Sequence, residues 1–73
     1  MPDLEHITYL LQHRYNKLNK QEINILSNFV ELLKKAMEVE IDKEYITTEE
    51  KKEREGFIRE IEAIIKENQT RLL

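Results

Sequence analysis

The chain has 73 residues, 37% charged and 40% hydrophobic, with formal net charge -3, one Gly, one Pro and no Cys. Without cysteine there is no disulfide framework, thiolate metal cage or thiol redox chemistry, and with one glycine there is no phosphate-cradling loop or nucleophile elbow. Met1-Pro2-Asp3-Leu4-Glu5-His6 has no basic stretch leading into an apolar one, and no window approaches the roughly 18 apolar residues of a membrane span, so a soluble, cytoplasmic protein is expected.

Gly and Pro punctuate turns and hairpins, and their near absence predicts an all-α chain. A first helix is predicted over about 3–18, capped by Asp3, with Leu4, Ile7, Leu11 and Leu18 recurring on one face and Leu10 and Tyr15 beside them. Asn19 and Glu22 then have the spacing of a capping box, which predicts a second helix over about 20–44. That helix carries two seams: Ile23, Leu26, Val30, Leu33 and Met37, and beside it Ile25, Phe29, Leu32, Ala36 and Val39. So wide an apolar arc must be covered on two sides. Ile46-Thr47-Thr48 interrupts the pattern, and Thr47 with Glu50 again has capping-box spacing, so a third helix is predicted over about 48–72.

The first half of that third helix is polar and only its second half, with Phe57, Ile58, Ile61, Ile64 and Ile65, can build a core. Gly56 at the junction points to a bend or a close helix approach. Glu50 with Arg54, Glu55 with Arg59 and Glu62 with Lys66 are solubilising pairs four residues apart. Folding the second and third helices back around Ile46 sets Met37 near Phe57, Leu33 near Ile61, Val30 near Ile64 and Ile23 near Leu72. The expected fold is a three-helix bundle: a hairpin of two long helices plus a shorter N-terminal one, pairing into a larger helical assembly. A competing arrangement joins the first two helices into one rod, since no Gly or Pro lies between Leu4 and Tyr45. Asn16, Asn19 and the capping box favour the broken form.

Residues with catalytic potential do not form a constellation. His6 and His13 are seven apart, too far along a helix to chelate one ion, and read as surface or interface histidines. Glu38, Glu40, Asp42 and Glu44 are spaced by two and scatter around a helix, and Ser27 has no His at helical spacing. No enzyme, cofactor, metal or small-molecule substrate is expected. Arg14, Lys17 and Lys20 form a basic cluster, but the half of the chain from residue 38 carries eleven acids against seven bases, so nucleic-acid binding is the lesser alternative. The surplus seam of the second helix supports a non-enzymatic interaction module. This would be a small regulatory or adaptor protein, of which an antitoxin, an anti-repressor or a phage-type inhibitor are versions, acting on a second copy or on another protein. Phe29, Leu32, Ala36, Val39, Ile41 and Tyr45 are the expected contact residues.

Overall fold

A computed structural model describes residues 3–42 and 46–73 and shows a small all-α three-helix bundle. Helix α1 spans Leu4–His13, α2 spans Lys20–Asp42 and α3 spans Thr48–Arg71. Each helix begins on a side-chain cap. The Asp3 carboxylate accepts from the Glu5 N–H at 3.0 Å, and the Thr47 hydroxyl from the Glu50 N–H at 3.1 Å. At α2 the box is reciprocal: Asn19 Oδ1 accepts from the Glu22 N–H at 2.8 Å, and Glu22 Oε1 from the Asn19 N–H at 3.0 Å. These bonds satisfy donors that a helix start leaves unpaired, and they hold the second and third helices to starts legible in the sequence.

α2 and α3 pack as a long antiparallel hairpin, and the much shorter α1 lies mainly against α2. Ile7 and Leu10 from α1, Ile23, Leu26 and Val30 from α2, and Ile58, Ile61 and Ile65 from α3 are buried together with Leu18. Leu11, Ile25, Phe29, Leu33, Met37 and Ile64 are partly buried against this cluster. Of the two seams on α2, the one running Ile23, Leu26, Val30 therefore forms the centre. The hairpin register lies within a turn of the expected one: Ile23 shares a depression with Leu72, Leu33 shares one with Phe57 and Ile58, and Met37 another with Ile58.

Three expectations need correction. α1 ends at His13, five residues before the expected boundary, and Leu18, drawn as the last member of its stripe, reaches the core from the connecting segment. On α3 the core is narrower than the stripe: Ile58 takes the inner position, while Phe57 is 45% exposed and Leu33 across from it is only half-buried. Gly56 lies inside an unbroken helix, and a Cβ placed there would meet nothing within 4 Å, so it marks no close approach. Of the surface pairs, Glu55 and Arg59 approach to 3.6 Å, whereas Glu62 reaches across the hairpin to Lys34 at 3.2 Å.

Candidate functional site

Two places in the bundle depart from plain helix packing: the segment joining α1 to α2, and the far half of α2. In the joining segment, Asn68 of α3 is a buried polar residue, only 2% exposed. Its position is in phase with Ile58, Ile61 and Ile65, so a core-facing slot is filled by an amide. The amide is fully used. Oδ1 accepts from the Leu18 N–H at 3.0 Å, and Nδ2 donates to the carbonyls of Tyr15 and Ile64, each at 2.7 Å. Arg71, one turn further on, donates to Asn68 Oδ1 at 3.2 Å and to the Leu18 carbonyl. Among the described residues no buried side-chain polar atom lacks a partner.

A second polar knot fixes the same segment from α2. Arg14 grips Glu22 with two nitrogens, at 2.7 and 3.1 Å, and donates to the Lys17 carbonyl at 3.0 Å. Burial pushes the Glu22 carboxyl up; the hydrogen bonds from Arg14 and the Asn19 N–H, with the charges of Arg14 and His6, outweigh it and hold the group below its ordinary value. The Arg14 guanidinium is correspondingly raised by its hydrogen bond and charge contact with Glu22.

Together these bonds replace what a continuous helix would have supplied. In a helix running through residues 14–22, the Leu18 N–H would donate to Arg14, the Asn19 N–H to Tyr15 and the Glu22 N–H to Leu18. Here the Leu18 N–H goes to Asn68, the Asn19 N–H to Glu22, and the Glu22 N–H to Asn19. The freed carbonyls of Tyr15 and Leu18 accept from Asn68 and Arg71. The sequence reading missed Asn68 and Arg71; its signal would have been a polar residue on an otherwise isoleucine stripe.

The other place lies on the expected contact face. Phe29, Leu32, Ala36 and Val39 recur at three, four and three residues and share a side of α2. Phe29 is half-buried against the core, Ala36 is exposed, and Leu32 and Val39 are 47% and 53% exposed. Ala36, Leu33 and Ile58 line a shallow depression with Phe57 and Arg54, so the stripe continues sideways onto α3. The backbone of Ile41 belongs to α2, its side chain is outside what the structure describes, and Tyr45 lies outside the described residues.

The basic cluster is less available than its sequence suggests. Arg14 is committed to Glu22, while Lys17 and Lys20 are exposed. His13 lies under the Tyr9 ring with centroids 5.3 Å apart, on the exposed side of α1. Among the described residues no three His, Asp or Glu side chains converge on a point where a metal could sit, and no helix is long and apolar enough to cross a membrane. Compared with known proteins, the chain matches no family model, no curated protein and no solved structure.

Proposed function

We propose that this protein is a non-enzymatic interaction module, a small regulatory or adaptor protein that binds other protein surface through the outer face of α2. One observation carries this reading: Leu32 and Val39 stand about half-exposed on the same side of a well-capped helix, with exposed Ala36 between them and Phe57 beside the row. Singly exposed apolar residues are ordinary, but a run at helical spacing that continues onto a neighbouring helix is the geometry of a helix-docking surface. Leu, Val and Phe there offer dispersion and hydrophobic contact, and the charged residues around them set the choice of partner. The alternative reading, a nucleic-acid contact through Arg14, Lys17 and Lys20, is weakened by the Arg14–Glu22 pair, which leaves two lysines to meet phosphate.

The test places a photoreactive residue at position 32 of the full chain and irradiates it in the lysate of its native cell. The expected outcome is a discrete protein adduct, absent when the same residue replaces exposed Gln12 on α1. Adducts of equal yield at both positions, or none at either, overturn the reading.

A further inference from the structure

Resting on that reading, we infer that the surface docked on α2 is the same face of a second copy of this chain, the two α2 helices running antiparallel about a two-fold axis that crosses the stripe at the level of position 34. The spacing of the stripe is the first argument. Phe29, Leu32, Ala36 and Val39 are placed symmetrically about position 34, so reversing the direction of a second α2 sets Phe29 of each copy against Val39 of the other and Leu32 against Ala36. Large thus meets small at the two central layers, the combination that lets helix faces interdigitate. A two-fold contact is self-complementary by construction, and a stripe that maps onto itself on reversal meets that condition.

Charge is the second, independent argument, and it selects the direction. Among the described side chains at the end of the hairpin where α2 finishes and α3 begins, Glu38, Glu49, Glu50, Glu53 and Glu55 stand against Lys51, Lys52 and Arg54, a formal -2. The opposite end, residues 14–24 with 66–73, holds Arg14, Lys17, Lys20, Lys66 and Arg71 against Glu22 and Glu67, a formal +3. Antiparallel copies bring the acidic end of each beside the basic end of the other, whereas parallel copies would set acid against acid. A chain this short buries only about 60% of the surface its unfolded form exposes, less than larger domains do, so covering the stripe of each copy also stabilises the fold.

The experiment uses the natural absence of cysteine. Asn28→Cys and Val39→Cys, both at exposed positions on this side of α2, are prepared as separate full-length proteins and then mixed under mild oxidation. In the antiparallel pair, residue 28 of one copy lies opposite residue 39 or 40 of the other, while two copies of residue 39 are about ten residues, or about 15 Å, apart along the axis. The mixture is therefore expected to form a disulfide-linked heterodimer, and neither protein alone to link to itself. Efficient self-linking of Val39→Cys would overturn the antiparallel arrangement.

Light scattering of the unmodified protein gives the mass directly, with twice the 8.9 kDa chain expected at micromolar concentration. Raising salt from 50 to 500 mM should weaken the pair several-fold, and Leu32→Asp should weaken it at least about 30-fold with helicity unchanged. Should Leu32→Asp lose its helicity, Ala36→Glu is the substitute, at a position exposed in the single chain. A salt-independent dimer overturns the charge match. A monomer at millimolar concentration overturns the pairing, and the photoreactive chain then separates the two ideas: an adduct with a foreign protein leaves the interaction reading standing, and no adduct removes both.

Discussion

The two ends of the bundle are built on different principles. Where α1 joins α2, three helices converge, Leu10, Leu18 and Leu26 are fully buried, and every freed backbone group named above in the connecting segment has a side-chain partner from α2 or α3. Toward the other end the ten-residue α1 has run out, α2 and α3 continue as a pair, and Val39 and Phe57 stand half in solvent. A third helix too short to cover the hairpin thus concentrates folding free energy at one end. The other end keeps apolar surface that is not committed to the fold.

The largest test of that contrast compares two apolar truncations on one helix. Ile61→Ala, at a position 1% exposed, should lower unfolding free energy by about 2 to 5 kcal/mol. Phe57→Ala, one turn earlier and 45% exposed, should cost the single chain about 1 kcal/mol despite the larger side chain. Urea denaturation at a concentration where the chain is monomeric measures both, and equal losses would break the comparison.

Next in size is the buried amide. Asn68→Ala should cost about 3 kcal/mol, because it leaves the buried Leu18 N–H without its acceptor and opens a cavity where a 2% exposed side chain stood. Native-state hydrogen exchange sharpens the point: the Leu18 amide, although outside any helix, should exchange as slowly as core helix amides in the parent and quickly in the variant. Fast exchange in the parent would mean that the segment is not held.

The smallest effect is the pH dependence of Glu22. Its carboxyl is held below its ordinary value, so near the titration the unfolded chain binds the proton more readily than the folded one. The stabilisation is therefore complete above the ordinary glutamate value of about 4.3 and is lost as pH falls from there through the lower folded value. Glu22→Gln should flatten the stability profile in that acid window and leave the slope above it unchanged. A thermal melt series from neutral to acid pH checks this, and parallel profiles would remove Glu22 from the account.

Most of the architecture was legible because it is encoded locally. The Asn19–Glu22 box and the Thr47 cap are short-range patterns with one geometric solution, and they placed the starts of α2 and α3 at the residues observed. The end of α1 was not legible for a definite reason. Leu18 is in phase with Leu4, Ile7 and Leu11, and an apolar residue in phase looks the same whether it arrives on a helix or on a segment leaving one. What separates the two cases is a contact with Asn68, fifty residues away, which no local window contains. On the outer face of α2, exposure of Leu32, Ala36 and Val39 followed from an apolar arc wider than two neighbours can cover. The inward turn of Ile58 in place of Phe57 depends on how α3 is rotated against α2, and periodicity leaves that rotation free within about one residue.

The same clamp opposes one rearrangement of the chain. Straightening residues 14–19 would swing α1 outward and offer its Ile7 and Leu10 face to another molecule's hairpin, the exchange of arms known as domain swapping. Such an exchange is cheap when a hinge gains as many hydrogen bonds by opening as it loses, and here the helical bonds of residues 14–22 stand ready to be regained. The latch is Asn68, which would be left in an isoleucine slot with its Leu18 and Tyr15 partners withdrawn. One amide on α3 therefore sets a cost on opening this hinge, because it is satisfied only while the connecting segment stays closed.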